Sequence, residues 1–272
     1  MAIHRITAVY FSPTGNARTA ARCAAQSLGA QLEAPVAELD ITPPAARQQQ
    51  YAFTENDLVL FSLPVYAGRL PNKILPCIQS CFTGGGAQAV LLCSYGNRSF
   101  GDALTELRDE VTAHGFLPIA AAALVSEHAF AQALASGRPD ADDLAAIADF
   151  ARRTAQKAAA ASAHTPLDVP GSSPAGPYYT PLGMDGAPAK FLKAKPVTDA
   201  ARCTRCGACV TACPMGSIDA DCITVSGICI KCQACIKTCP EQAKFFEDAA
   251  FLSHREMLLT HYTARKENQF FL

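Results

Sequence analysis

Residues 203–214 read CTRCGACVTACP, and residues 229–240 read CIKCQACIKTCP. Each copy contains four cysteines in the order Cys-x-x-Cys-x-x-Cys-x-x-x-Cys-Pro, and the two copies start 26 residues apart. An internal repeat of this kind predicts a unit with approximate twofold symmetry. The whole chain has 272 residues and 13 cysteines, of which nine lie between positions 203 and 239. The cysteines therefore belong mainly to one small unit.

The spacing of these cysteines resembles that of bacterial-type ferredoxins, which hold two [4Fe–4S] clusters. In that family three closely spaced cysteines hold one cluster, and the cysteine before the proline ligates the other. The resemblance covers about 45 residues and implies two crossed ligand sets. The first cysteine set is Cys203, Cys206, Cys209 and Cys239, and the second cysteine set is Cys229, Cys232, Cys235 and Cys213. Zinc is the alternative, because four thiolates also suit it, but zinc modules usually place two ligand pairs on either side of a long loop.

Five cysteines lie outside this pattern. Cys222 falls in the apolar stretch 218–225, which predicts a hairpin between the two copies. We expect it to be a small buried side chain without a redox role, and the same holds for Cys23, Cys77, Cys81 and Cys93. Because Cys77 and Cys81 are four residues apart on a predicted helix, a two-ligand metal site is a second interpretation for that pair.

Composition and charge exclude several classes of protein. Half of the residues are apolar and 17% are charged, so the chain is not of the disordered type and can bury a core. The formal net charge of −1 leaves no basic excess for binding nucleic acid. The N-terminal residues carry no signal-peptide pattern, and residues 116–125, the longest apolar stretch, are too few to span a membrane. We therefore expect a cytoplasmic protein whose odd number of cysteines serves metal or redox chemistry.

The first 160 residues alternate between short apolar runs and segments with helical spacing. The predicted strands are residues 3–11, 31–39, 58–63, 88–94 and 116–125, and the predicted helices are residues 17–28, 70–82, 102–114 and 140–161. Gly29 is expected to cap the first helix, and Pro71 to open the second. Strands that are apolar on both faces predict a parallel sheet covered by helices. The expected fold is a doubly wound α/β domain with a five-stranded parallel sheet and flavodoxin-like topology.

Three loops are expected at the carboxyl ends of these strands, where open α/β sheets bind ligands. The first loop, Ser12-Pro-Thr14-Gly15-Asn16-Ala17, combines hydroxyl groups with the start of a helix, which suits an anion; ordinary helix capping is the alternative. The other two are Pro64-Val65-Tyr66-Ala67-Gly68 and Tyr95-Gly96-Asn97-Arg98-Ser99-Phe100-Gly101. Their tyrosines and glycines suit a planar ring, and two unrelated surface turns are the alternative. His128 follows the fifth strand, and we expect it to be hydrogen bonded within its own loop; approach to a bound ligand is the alternative.

The first loop is similar to the phosphate loop of flavodoxins, which bind flavin mononucleotide (FMN). Four residues match that motif: Ser12, Thr14, Gly15 and Asn16. Flavodoxins often have threonine where this chain has Ala17, so only a backbone contact is expected there. The resemblance spans roughly residues 3–160 and implies an FMN site formed by the three loops. Flavodoxins usually stack a tryptophan on the flavin, and this chain has none, so the expected ring-covering residues are Tyr66, Tyr95 and Phe100.

Changes in composition along the sequence divide the whole chain into four parts. The predicted parts are a flavodoxin-like FMN-binding domain at 1–163, a proline- and glycine-rich linker at 164–197, a two-cluster ferredoxin domain at 198–246, and a C-terminal helix and docking tail at 247–272. The whole chain resembles the flavodoxin–ferredoxin fusion proteins found widely in anaerobes. The stretch FLKAKP at residues 191–196 resembles that family as well.

These resemblances imply an oxidoreductase that transfers electrons, in which FMN and two clusters connect one-electron carriers with a one- or two-electron acceptor. The expected partner is a redox protein, either a ferredoxin or an oxidoreductase. Residues 1–163 carry a net charge of −2 and residues 164–272 a net charge of +1. Free flavodoxins and ferredoxins are strongly acidic, so this balance suggests one transfer step within the chain. The alternative is a two-cluster electron carrier whose flavodoxin-like domain is an FMN-free docking module.

Overall fold

The computed structural model describes residues 3–160 and 166–272. The strands are β1 (Arg5–Tyr10), β2 (Val36–Asp40), β3 (Tyr51–Ala52), β4 (Asp57–Pro64), β5 (Phe82–Thr83), β6 (Gln88–Tyr95), β7 (Leu117–Val125), β8 (Val197–Thr198), β9 (Lys244–Phe245) and β10 (Gln269–Phe271). The helices are α1 (Asn16–Leu32), α2 (Leu75–Ser80), α3 (Ala103–Ala113), α4 (Ala141–Ala159), α5 (Ala208–Ala212), α6 (Ala234–Lys237) and α7 (Ala249–His261). A 3-10 helix spans Pro44–Gln48. Within the described ranges, no helix is long and apolar enough to cross a membrane.

The main sheet has six strands in the order β10-β7-β6-β4-β1-β2. The five strands from β7 to β2 in that order are parallel, and their arrangement is the doubly wound order of flavodoxin-like folds. The five-stranded parallel sheet predicted from the sequence is confirmed. β10 adds a sixth strand antiparallel to β7, with Phe270 opposite Ala122. The C-terminal tail therefore docks by strand addition at the sheet edge.

Helices cover both faces of the sheet, which explains why its strands are continuous apolar runs. α1 and α4 pack on one face around Leu28 and Phe150. α2 and α3 cover the other face, where Phe61 makes edge-to-face contacts with Phe82 and Phe116 at 5.3 and 5.2 Å between ring centroids. The carboxyl ends of the parallel strands are left for the loops of the candidate site.

The predicted end of the first helix is wrong. α1 continues through Gly29 to Leu32, and Glu33 takes the left-handed capping conformation with φ 50°. Gly29 serves close packing instead, because a Cβ at this position would lie 2.6 Å from Val36 Cγ2 at the start of β2. The glycine signal in the sequence thus reflects a neighbouring strand rather than a helix end.

The second predicted helix is also too long. α2 begins at Leu75 and ends at Ser80, and Pro71 precedes it in a turn. Pro76 lies in the first turn of α2, where its missing N–H is not needed. A helix that started at residue 70 would place Pro76 in its interior, where proline breaks the hydrogen-bond ladder. Phe82 belongs to β5, which pairs with β3.

The segment between α4 and the cysteine repeat packs on the α/β domain. Leu167 and Val169 are buried in the same core as α2 and α3, and the Tyr178 hydroxyl donates to Leu70 O at 2.8 Å. β8 and β9 then pair antiparallel and close the two ends of the cysteine unit. The predicted boundary between residues 163 and 164, and Ala161 at the predicted end of the fourth helix, lie outside the described residues.

Candidate functional site

The two cysteine copies fold into the same backbone shape. Residues 26 positions apart share left-handed φ values, which are 56° and 57° at Arg205 and Lys231, 78° and 68° at Gly207 and Gln233, and 58° and 49° at Gly216 and Gln242. Equivalent amides also donate to equivalent sulfurs. These contacts are Ser217 N to Cys213 Sγ at 3.3 Å and Ala243 N to Cys239 Sγ at 3.2 Å. The sequence repeat is therefore also a repeat of backbone conformation and of N–H···S hydrogen bonds.

Each predicted ligand set surrounds its own cavity. The first cavity is lined by Cys203, Cys206, Cys209 and Cys239. The second cavity is lined by Cys213, Cys229, Cys232 and Cys235. In both cavities the cysteine that precedes a proline comes from the other copy of the repeat. The structure thus brings together the same crossed sets that the resemblance implies.

The two cavities differ in their exposure to solvent. Cys206 in the first set is exposed, whereas Cys232, its counterpart in the second copy, is buried. Burial raises the pKa of Cys232 and of Cys235 to about 12. As bare thiols they would be protonated at neutral pH, so their thiolate forms require positive charge such as that of a bound metal.

Four thiols around each cavity, with amides directed at the sulfurs, fit an iron–sulfur cluster. In the part of the chain that the structure describes, no group of three or more His, Cys, Asp or Glu side chains is placed to hold a single metal ion. That finding concerns single ions, and a four-iron cube spaces its thiolates more widely. Cys222 is buried, as predicted, but also lines the first cavity as a fifth cysteine. Of the other cysteines, Cys23 is half-buried and Cys77, Cys81 and Cys93 are buried.

The loop after β1 presents free amides at the start of α1. Gly15 has a left-handed φ of 95°, and no atom lies within 4 Å of the position that a Cβ would occupy there. Among the described residues, three backbone N–H groups in this loop have no hydrogen-bond acceptor, namely those of Thr14, Asn16 and Ala17. Unpaired amides at the N-terminus of a 17-residue helix suit a phosphate group.

Two side chains of this loop are engaged in the fold. Ser12 Oγ accepts a hydrogen bond from Arg18 N at 2.9 Å and so caps the first turn of α1. Asn16 Nδ2 donates to Glu127 O at 3.2 Å, which links this loop to the one after β7. The capping interpretation therefore holds for Ser12, while the backbone amides remain free for a ligand.

The predicted ring-covering residues differ in their surroundings. Tyr95 and Phe100 are buried in the sheet core and meet edge to face at 5.5 Å between centroids. Tyr66 is half-buried in the loop after β4 and lies near Cys232 and Cys229. Burial, and then these two cysteines, raise the pKa of Tyr66 well above its ordinary value. Of the three aromatic residues, Tyr66 is therefore the one that lies outside the sheet core and whose pKa the second cysteine set affects.

The loop after β6 is fixed by its neighbours. The Asn97 side chain donates to two backbone carbonyls in residues 262–266 of the tail and accepts from an amide there. A Cβ on Gly96 would lie 2.3 Å from His128 Cδ2, so only glycine allows this approach. His128 accepts from Phe130 N at 3.1 Å, which agrees with the predicted hydrogen-bonded loop histidine. Burial lowers the pKa of His128 to about 4, so the ring is neutral at pH 7.

The loop after β4 holds the remaining predicted residues. Pro64 ends β4, and Val65 packs on the sheet core. Gly68 lies against the loop after β6, because a Cβ at Gly101 would come within 2.8 Å of Gly68 Cα. Ile230, between two cysteines of the second set, packs on the same core as Val65. The second cysteine set is thus packed, through Ile230, on the core of the α/β domain.

Two polar contacts at this junction were not predicted from the sequence. The Arg47 guanidinium donates to Pro214 O, directly after Cys213. Lys237 Nζ forms an ion pair with Glu127 Oε1 at 2.6 Å. The partners lie more than 100 residues apart, and no local pattern marks such pairs.

Comparisons with known proteins find similarity for both parts of the chain. The family model for a 4Fe-4S binding domain matches residues 196–219, which include the first cysteine copy. Among solved structures, a flavodoxin from the domain Archaea is 13% identical, covering 57% of this chain and 98% of its own, with a TM-score of 0.41. A Streptococcus pneumonia TIGR4 flavodoxin is 18% identical, covering 56% and 99%, with a TM-score of 0.39. A Megasphaera elsdenii flavodoxin is 15% identical, covering 56% and 98%, with a TM-score of 0.34.

Comparison with curated proteins gives no match. Because the structural similarities are this remote, the fold assignment rests on the strand order of the main sheet. The chain combines a flavodoxin-like α/β domain with a cysteine-rich region that matches the 4Fe-4S binding domain.

Proposed function

We propose that this protein transfers electrons between two [4Fe–4S] clusters and a bound FMN. The observation that carries the proposal is the contact of the second cysteine set with the strand-end loops. Ile230 packs on the sheet core there, and Tyr66 lies near Cys229 and Cys232. Each cysteine set therefore has a distinct task, since one adjoins the candidate flavin site and the other holds the exposed Cys206.

In this proposal the eight cysteines act as thiolate ligands. Backbone amides of the repeat donate to Cys213 and Cys239, which stabilises negative charge on those sulfurs. When bound, the clusters would exchange single electrons and the flavin one or two, which connects one-electron carriers with a two-electron acceptor. In the second set Cys232 and Cys235 are buried, and Cys213 and Cys229 are half-buried.

The FMN-binding part of the proposal rests on the loop after β1. The amides of Thr14, Asn16 and Ala17 would hold the phosphate, and the Thr14 hydroxyl would add a further donor. Tyr66 would cover the ring, since Tyr95 and Phe100 are committed to the core. Val65 and Gly68 shape the same loop, and Asn97 and Gly96 bring the loop after β6 beside it.

The junction residues would keep the distance between the two parts constant. The Lys237–Glu127 ion pair and the Arg47–Pro214 hydrogen bond join the cysteine unit to the α/β domain. The exposed Cys206 makes the first set the natural point of exchange with a redox protein partner. Electrons would therefore pass between partner, first set, second set and strand-end loop without a second docking event.

The FMN-free carrier is the second candidate, and two observations favour it. The tail binds the Asn97 side chain, and two aromatic residues of the predicted site are buried. Both features reduce the surface that the loop after β6 offers to a ring. The α/β domain would then serve as a docking module for the cysteine unit.

Anaerobic purification followed by iron, sulfide, zinc and flavin analysis distinguishes these candidates. We expect about one FMN per eight irons, since two four-iron clusters and one flavin are proposed. Eight irons without flavin, even after incubation with excess FMN, would establish the carrier. Zinc in place of iron would reject both.

A further inference from the structure

A cavity of about 310 Å³ lies between the two parts of the chain, and none of its lining residues belongs to the three strand-end loops. Its walls are residues 129–133 after β7, the N-terminal end of α6, and one face of α7. This volume is within the range of small-molecule sites in proteins. We call it the aromatic cavity, because four of its lining residues are Phe130, Phe245, Phe246 and Phe251.

The phenylalanines provide flat apolar walls. Phe246 and Phe251 stack with ring centroids 4.3 Å apart, and Phe130 lies 4.8 Å from Phe251. Phe245 is 42% exposed, which is unusual for a side chain of this size. A planar ring that entered the cavity would bury this exposed surface and find aromatic partners on several sides.

Arg255 provides a cationic group in the same cavity. It lies four residues after Phe251 on α7, so both side chains are on one face of the helix. Its Nε is buried and has no hydrogen-bond partner among the described residues, while the side chain as a whole is half-buried. A buried donor of a charged group without an acceptor is costly, which makes Arg255 a site for an anion.

In the described part of the chain, the carboxylates in and next to α7 do not accept a hydrogen bond from Arg255. Asp248 caps the helix by accepting from Phe251 N at 2.9 Å. Glu256 is exposed, and it cannot face Arg255 because consecutive helical residues point in different directions. The acceptor must therefore come from outside the helix that carries Arg255.

We propose that the aromatic cavity binds a small molecule with a planar aromatic ring and one carboxylate. The ring lies among the phenylalanines, and the carboxylate binds Arg255. Gln233 and Phe246 line both this cavity and that of the second cysteine set. A bound ligand would thus be separated from the second set by these two side chains. The binding step itself does not depend on the proposed function, since neither FMN nor a cluster forms a wall of this cavity.

Isothermal titration calorimetry with 1-naphthoate tests the proposal on the full, anaerobically purified protein. We expect saturable binding of one molecule per chain. The neutral analogue 1-naphthamide should bind at least about tenfold more weakly, because a charge-assisted hydrogen bond to Arg255 is lost. Arg255→Gln should weaken 1-naphthoate binding by the same factor and leave 1-naphthamide binding unchanged. The matched control, Arg152→Gln on the exposed face of α4, should bind both probes like the wild type.

A second variant protects the test against misfolding of the first. Ala133 is exposed at the mouth of the cavity, and Ala133→Phe should reduce binding of both probes by filling part of the volume. Iron content and far-ultraviolet circular dichroism report whether each variant is folded. Absence of saturable 1-naphthoate binding overturns the proposal, as does equal binding by wild type and a folded Arg255→Gln variant. FMN and iron content are measured separately, so this failure is distinguishable from failure of the proposed function.

Discussion

Replacing Asp143 by asparagine tests how the first turn of α4 holds the tail that covers the candidate site. The Asp143 and Arg138 side chains are each 3% exposed, and Arg138 Nε donates to Asp143 Oδ2 at 2.8 Å. The same carboxylate accepts from Asp140 N and from Asn268 Nδ2, each at 2.9 Å. Arg138 also donates to Lys266 O in the tail. Asp143 thus joins a helix cap, a buried cation and the C-terminal segment.

The expected loss of stability is large because the pair is buried. Removing one partner of a buried ion pair leaves the other charge uncompensated and costs about 3–5 kcal/mol. Asparagine retains the shape and one acceptor oxygen, so we expect the lower end, about 3 kcal/mol. The matched control is Asp149→Asn, which weakens exposed pairs with Arg152 and Arg153. Exposed pairs contribute about 0–1 kcal/mol, so this variant should unfold almost like the wild type.

Urea unfolding of the full protein under anaerobic conditions measures the change in the free energy of unfolding. The midpoint of Asp143→Asn should fall at an unchanged m value. Limited proteolysis reports the tail, and cleavage within residues 262–272 should be faster in this variant, because Asn268 and Lys266 lose fixed partners. Equal midpoints for the two variants, or wild-type cleavage of the tail, would refute the reasoning.

The same variant has a defined pH dependence. Burial raises the pKa of Asp143, but hydrogen bonds from Arg138, Asp140 N and Asn268 together with the Arg138 charge outweigh it, and the net shift is downward. A carboxyl with a lowered folded pKa stabilises the protein above its unfolded pKa and loses this contribution as the pH falls through the folded value. The stability gap between wild type and Asp143→Asn should therefore narrow below about pH 4.

Three further predictions concern the candidate sites. Thr14→Asp should lower FMN content about tenfold or more without loss of iron, because it places negative charge beside the amides proposed to bind phosphate. Thr112→Asp on α3 is the control, and FMN content in Thr14→Asp equal to that of the control would contradict the proposed phosphate loop. Cys213→Ser should abolish the electron paramagnetic resonance signal of the cluster in the second cysteine set, and Cys239→Ser should abolish the signal of the cluster in the first set. Loss of the same signal in both variants would contradict the crossed sets. Lys237→Gln should accelerate hydrogen exchange in α6 modestly, since the partly exposed Lys237–Glu127 ion pair contributes about 1 kcal/mol or less. Lys190→Gln at an exposed position is the control. Equal exchange rates in the two variants would show that the ion pair does not fix the cysteine unit.

The sheet could be predicted because the apolar pattern of each strand depends on whether its two faces are covered. β4 and β6 are apolar on both faces, and that pattern occurs when helices cover both sides. β10 could not be predicted as a strand, since its three residues are defined by pairing with β7. The end of α1 was missed for a related reason: Gly29 is required by the close approach of Val36 and does not end the helix.

The cysteine sets could be predicted as groups because their spacing is short and repeated. The strand-end loops were located correctly, but the roles within them depend on tertiary packing. Tyr95 and Tyr66 have the same chemistry, and only the fold buries the first in the core and leaves the second beside the cysteines. Asn97 likewise is a loop residue in sequence, and a tail more than 160 residues away binds it.

The two copies of the cysteine repeat are nearly equal in backbone conformation and unequal in surroundings. Lys231 and Arg205 share the same left-handed φ, and the amide-to-sulfur hydrogen bonds recur, so the repeat alone would give two similar clusters. The α/β domain removes that equality, because its core packs against Ile230 of the second set, and Cys232 is buried while its counterpart Cys206 is exposed. Solvent exposure is one determinant of cluster potential. In the proposed function, the attachment of a symmetric unit to an asymmetric partner is therefore what gives the two sets different potentials and a defined order along the electron path.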